Sequence, residues 1–323
     1  MMTRRMALLL AGLAPSFATS AYAQQTKLTV MVFRGGQNLP LFAAQEKDFF
    51  AGRGLNVKVV YAPSADELPR VLADGSVQII HSTSDNAIKI LDADKLDVAL
   101  VIGGDNAHNH IIAQQDIGKI EDLRGKTILL DTATSGYTFM LYAILKRHGL
   151  NKGDYAIKTV GATPRRFEAM LADRNNKAAV LNPPFSIHAV KAGLKDLGST
   201  VSMVGPYQGP AGYTLRAWAK ANSDTLVKYL QAYIEGVRFA LDPANKAMAT
   251  EILARRLELA PDIASAVYEV VTDKQEGFAK DGRFDLEGFK NVLQLRADYE
   301  GGTPAAPERY LDLSYYQEAL KGM

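Results

Sequence analysis

The chain has 323 residues, 47% of them apolar, with 37 basic against 35 acidic side chains and no cysteine. The missing cysteine excludes a disulfide framework, thiolate metal sites and a cysteine nucleophile together. The balanced charge, with no basic stripe, argues against nucleic acid or an anionic membrane surface as partner.

The first segment combines Arg4-Arg5, an apolar run from Met6 to Pro15 and Ala21-Tyr22-Ala23 before Gln24-Gln25. That order is a secretory signal peptide, with cleavage expected after Ala23 and export to the periplasm. The apolar run is shorter than the ~20 residues a membrane span needs. Removing residues 1–23 leaves 35 basic and 35 acidic residues, a near-neutral exported protein. About 300 mature residues exceed one typical core and suit two domains.

From Leu28 apolar runs of strand length alternate with amphipathic helical stretches, the grammar of an α/β protein with mostly parallel sheets. Strands are predicted at 28–33, 56–62, 77–81 and 97–104, with Gly52, Gly54 and Gly75 ending the helices between them. A second series predicts strands at 126–131, 155–160 and 177–182 and helices at 136–148, 164–173 and 184–192. Both halves carry a Gly-Leu pair, Gly54-Leu55 and Gly149-Leu150, before their second strand. One more strand-like piece, 212–220, precedes a largely helical remainder, and the last stretch reads as a peripheral loop and short helix. The chain is therefore expected to cross between lobes near 107–113 and 206–213. Lobe 1 then comprises 24–107 and 208–323, lobe 2 comprises 108–207, and ligands bind at the carboxyl ends of the strands.

The segments Leu41 to Phe50 with Gly54-Leu55-Asn56-Val57, Leu72 to Gln78, and Asp122-Leu123-Arg124-Gly125-Lys126 together resemble the periplasmic binding proteins of ABC importers that include sulfonate, nitrate and thiamine-pyrimidine receptors. Two positions depart from that family's pattern: Asp48 stands where it usually has glycine, and Gln78 where it usually has aspartate. The resemblance implies a two-lobed type II binding protein, each lobe a mostly parallel sheet flanked by helices, joined by two crossover strands. It further implies a solute receptor without catalysis or cofactor, working as a monomer with an ABC permease of the inner membrane. Read physically, Asp122, Leu123 and Gly125 do structural work in a tight turn.

The loops facing the expected cleft supply the candidate ligand-binding residues: Gln37 and Asn38; His81, Ser82, Ser84 and Asp85; Asp105 and Asn106; Thr132, Thr134, Ser135, Gly136 and Tyr137; Asn182 and Phe185; and Tyr213. Several have a plain structural alternative. Asn38, Ser84, Asp85 and Ser135 each stand where a helix cap is wanted, and Asp85 is also a candidate to neutralise a cationic ligand. Gly35-Gly36 lacks the context of a dinucleotide fingerprint. Arg165 and Arg166 open a helix and are read first as solvent-facing. Asp105 with His108 and His110 raises a metal site, since residues two apart on a strand share a face, but a hydrophilic crossover strand explains them and no metal is expected. The helix start at Gly136-Tyr137 offers free amides and a dipole to a polar ligand group. Ser135 as a hydrolase nucleophile lacks a surrounding G-x-S-x-G. The loops lean toward a heterocyclic or aromatic solute, with a small sulfonate, nitrate or carboxylate as the alternative; a ligand-loaded sensory protein would share the fold.

Overall fold

In the computed structural model, which describes residues 25–323, two five-stranded sheets form the centres of two lobes. The expected signal peptide and its cleavage point lie outside the described residues. Among those residues no helix is long and apolar enough to cross a membrane.

The first sheet contains β1 (Thr26–Val32), β2 (Leu55–Tyr61), β3 (Ile79–Thr83), β4 (Val98–Ile102) and β10 (Pro210–Leu215), in the order β2-β1-β3-β10-β4. β1 runs parallel to β2 and β3, while β10 is antiparallel to β3 and β4. The second contains β5 (His110–Ala113), β6 (Thr127–Leu130), β7 (Ala156–Thr159), β8 (Asn176–Leu181) and β9 (Lys195–Ser199), in the order β7-β6-β8-β5-β9. Here β6 is parallel to β7 and β8, and β5 is antiparallel to β8 and β9. Each sheet therefore has one reversed strand. In both cases it is the first strand built after the chain passes from the other sheet.

Strands covered on both faces read as continuous apolar runs: Val98 to Ile102 of β4 are all buried although β4 ends its sheet, as are Ile128, Leu129 and Leu130 of the interior strand β6. One core lies under the helices Leu39–Glu46, Ser223–Leu241, Lys246–Leu257 and Pro261–Val271. A second core runs through both lobes, joining Ile80 and Leu100 to Ile128 and Leu141.

Three local expectations are refined. The strand-like piece at 212–220 is only half strand: β10 ends at Leu215 and Arg216–Ala221 is helical. β9 escaped the sequence reading because Lys195-Asp196-Leu197-Gly198-Ser199 is a polar edge strand with no apolar run. The C-terminal stretch is more than peripheral, since Tyr310 is buried and Leu311 forms a parallel bridge with Leu100 of β4.

The two departures from the family pattern have structural reasons. Asp48 has φ 57°, a left-handed conformation that glycine adopts freely and that aspartate tolerates better than most residues. Gln78 accepts from the Thr29 N–H at 2.8 Å and donates to the Gly75 carbonyl at 2.7 Å, stitching the β3 entrance to β1. Asp122 accepts from the N–H groups of Gly118 and Lys119, and Gly125 turns at φ 71°.

Candidate functional site

The carboxyl ends of β1, β3, β4, β6 and β8 converge on a cavity between the lobes. Lobe 1 supplies Phe33, Gln37, Asn38, Leu41, His81, Ser82, Thr83, Asn86, Pro210 and Tyr233; lobe 2 supplies Leu129 to Asp131, Ser135 to Thr138, Ala162, Thr163, Arg166, Val180 and Asn182. Asp105, His108 and Asn109, on the segment linking β4 to β5, line it as well.

The lobes are locked together around this space. Gly36 N–H donates to the Pro183 carbonyl at 3.0 Å and Ala162 N–H to the Pro63 carbonyl at 3.1 Å. Asn182 Nδ2 donates to Gln37 Oε1 at 3.2 Å, and Ala65 N–H donates to Asp131 Oδ2 at 3.2 Å. A Cβ on Gly35 would lie 2.1 Å from Asn182 Nδ2 and 2.2 Å from Gln37 Oε1, so this amide pair would have to shift to admit one.

The helix Gly136–Arg147 points its first turn at the cavity from lobe 2. Its first amide is already occupied: Gly136 N–H donates to Asn86 Oδ1 at 3.1 Å. Asn86 Nδ2 donates to Ser82 Oγ at 3.2 Å, and Ser82 Oγ lies 2.8 Å from the Tyr213 hydroxyl. A hydrogen-bonded row thus runs from the first sheet's core to the second lobe's helix. Ser135 takes the N-cap position, but its hydroxyl meets Thr138 Oγ1 at 2.9 Å and caps no amide. With Thr138 and the Thr132 carbonyl as its described partners, it has no base beside it.

His81 is buried, holds the Tyr229 hydroxyl through Nε2 at 2.9 Å and packs its ring against Tyr233. Burial pushes its pKa down to about 3, so it stands neutral in the wall. Burial pushes the carboxyls of Asp105 and Asp131 up; His108 partly opposes this at Asp105, as Arg166 does at Asp131. Arg166 is 7% exposed and donates to the Gly161 carbonyl at 2.7 Å, Thr163 Oγ1 at 3.0 Å and the Val180 carbonyl at 3.1 Å. Burial disfavours its charge and Asp131 offsets that. Buried atoms without a hydrogen-bond partner gather here too: Thr83 Oγ1, His108 Nδ1, Asn109 Nδ2 and Asp131 Oδ1.

Of the residues singled out in the sequence, Gln37, Asn38, His81, Ser82, Asp105, Ser135, Gly136, Tyr137 and Asn182 line the cavity. The remaining seven lie outside it. Ser84 donates to the Gln208 carbonyl at 2.6 Å, and Asp85 is paired with Arg296 at 3.0 Å, so neither caps its helix nor faces the cavity. Asn106 is turned to the Gln275 carbonyl. Thr132 lines a separate groove beside Arg165, and Thr134 is exposed. Phe185 packs on Phe167, 6.0 Å between ring centres, and Tyr213 stands behind Ser82. Asn38 spends its side-chain amide on the Phe33 and Gly35 carbonyls, so what it gives the cavity is a fixed loop.

Arg166, read first as solvent-facing because two adjacent arginines open a helix, is instead buried in the wall; its burial depends on Val180, a neighbour brought in by the sheet. His108 and His110 do not share a face. His108 Nδ1 lies 3.6 Å from Asp105, whereas His110 reaches Asp196 at 2.7 Å. Among the described residues no cluster of three metal-ligating side chains occurs.

A family model described as NMT1/THI5 like matches residues 36–247. The chain belongs to the NMT1/THI5-like family. Among curated proteins, none matches the chain. Among solved structures it is similar to the periplasmic nitrate-binding protein of Synechocystis PCC 6803, at 14% identity and TM-score 0.76 over 93% of this chain and 89% of that one. It is also similar to the alkanesulfonate-binding protein of Xanthomonas axonopodis pv. citri bound to MOPS, at 17% identity and TM-score 0.72 over 90% and 97%. A third likeness is the zinc-bound ligand-binding component of an ABC-type import system from Staphylococcus aureus, at 13% identity and TM-score 0.76 over 91% and 99%. At these identities the likeness establishes the periplasmic-binding-protein fold, now seen in the two lobes and their reversed strands.

Proposed function

We propose that this NMT1/THI5-like protein is the solute receptor of an ABC importer. It captures a small organic molecule between its lobes and presents the closed form to a membrane permease. The observation that carries the reading is the cavity whose walls come from both sheets and beside which backbone and amide hydrogen bonds bridge the lobes. A ligand that bridges both walls stabilises the closed arrangement, because its contacts exist only there. The solved relatives named above, described by their titles as nitrate-binding, alkanesulfonate-binding and import-system components, support the same reading.

The assignment extends to the division of the chain into lobe 1 (24–107 and 208–323) and lobe 2 (108–207), to export by residues 1–23, and to action as a monomer. For the ligand, the flat walls of Phe33, Tyr137 and Tyr233 favour a heterocyclic or aromatic solute. A thermal-shift screen over pyrimidine thiamine precursors, aromatic carboxylates, taurine, alkanesulfonates and nitrate tests both points. A ligand stabilises by RT ln(1 + [L]/Kd), about 2.7 kcal/mol at a hundredfold excess over Kd. Stabilisation by a ring-bearing solute is expected; stabilisation by nitrate or alkanesulfonates alone would overturn the ligand class.

A further inference from the structure

The cavity wall carries two carboxylates, Asp105 and Asp131, against a single guanidinium, Arg166. Three of the five N–H groups of Arg166 are spent on the protein's own oxygens. Among the described residues neither carboxylate has a lysine or arginine within ion-pair distance; the nearest basic group to Asp105 is His108, at 3.6 Å. Asp105 is 2% exposed and its only described side-chain bond is the one its Oδ1 accepts from Ala107 N–H at 2.7 Å. Asp131 Oδ1 and Thr83 Oγ1, both able to accept, are buried without a donor. Buried acceptors without donors are costly unless something supplies the hydrogens.

We propose that the solute carries a protonated or N–H-bearing nitrogen group, an amine, amidine or amino-substituted ring, that docks against Asp105 and the unpartnered acceptors of this cavity, and that bare anions are excluded. The inference rests on the receptor reading and names the charge class of its ligand. An anion here adds a third negative group to a wall with one committed cation, in a space where water screens little. A nitrogen cation does the reverse: it supplies donors to Asp131 Oδ1 and Thr83 Oγ1 and offsets the burial that pushes Asp105 up. The neutral His81 and the rings of Tyr137 and Tyr233 suit the flat body of such a solute.

The test is calorimetric titration with benzamidine, benzamide and benzoate, which share a ring and differ in charge. Benzamidine is expected to bind at least about tenfold more tightly than benzoate, with benzamide between them, as the charge complement of the wall requires. Asp105→Asn keeps the acceptor for Ala107 N–H, and Asp131→Asn keeps that for Ala65 N–H. With melting curves confirming that each variant folds, Asp105→Asn is expected to erase the benzamidine preference and Asp131→Asn to reduce it. Benzoate binding most tightly, a benzamidine preference that survives both variants, or no binding by any of the three overturns the proposal. The receptor reading fails separately, if no solute in the broader screen stabilises the protein.

Discussion

Asn86 of the first lobe hydrogen-bonds the leading amide of the second lobe's helix: its Oδ1 lies 3.1 Å from Gly136 N. The same side chain is anchored from behind by Ser82, which is itself in contact with Tyr213 of β10. A helix N-terminus concentrates donors and positive potential, and here a neutral amide oxygen carried by the opposite lobe satisfies it. The contact exists only with the lobes together, so Asn86 acts as a latch.

Asn86→Leu removes that acceptor and leaves a buried N–H unsatisfied in the closed form, at a cost of about 1–3 kcal/mol. The expected result is ligand affinity weakened by roughly five- to a hundredfold, while the melting temperature without ligand changes little. Titration calorimetry on both proteins with the solute found in the screen checks it.

Gly136→Ala acts on the same seam by volume. A Cβ at this position would stand 1.6 Å from Thr83 Oγ1 and 2.7 Å from Thr83 Cβ. Both belong to a short β-branched side chain with little room to yield. Overpacking of this kind costs about 1–3 kcal/mol and falls on closure, so affinity is expected to drop roughly five- to a hundredfold. Adding Thr83→Ala removes the nearer atom and is expected to restore part of it.

His81 sets an acid limit on stability. Its folded pKa of about 3 lies below the ordinary value of 6.5. The contribution is therefore fully present above pH 6.5 and is lost as pH falls toward 3, to at most about 5 kcal/mol in all. Urea melts from pH 7 to pH 4 are expected to lose stability more steeply in the wild type than in His81→Gln.

Asp85 and Arg296 form a buried pair, with Arg296 also lying over the Phe139 ring, 4.6 Å from its centre. Arg296→Met strands the Asp85 carboxylate and is expected to destabilise the fold by about 3–5 kcal/mol. Thermal denaturation checks this; the double change Asp85→Leu with Arg296→Met is expected to recover most of the loss.

The contrast between Asp85 and Asp105 explains what the sequence could reveal. Both are acidic residues just past strand ends, and both are candidates on that ground. One is consumed by Arg296, 211 positions away, and the other is left facing the cavity. Local spacing carries the strands, the helices and the turn at Gly125, because those follow from periodicity and backbone geometry. It carries no information on which distant residue fills a polar group's valence, and that decides the fates of Ser84, Asp85, Tyr213 and Arg166. β9 was hidden for a different reason: an edge strand needs little apolar content, and Lys195–Ser199 has almost none.

Closure around a solute is the central claim, and a pair of labels tests it directly. The chain has no cysteine, so Lys191→Cys and Asp262→Cys accept pyrene at two defined points. These side chains form an exposed ion pair between the lobes, and exposed pairs contribute little to stability. Excimer emission, which requires the two pyrenes to stack, is expected to rise on saturation with the cavity's solute and, when Gly136→Ala is added, to rise only at roughly five- to a hundredfold higher solute concentration. Excimer emission unchanged by a solute that binds and stabilises the protein would contradict the account.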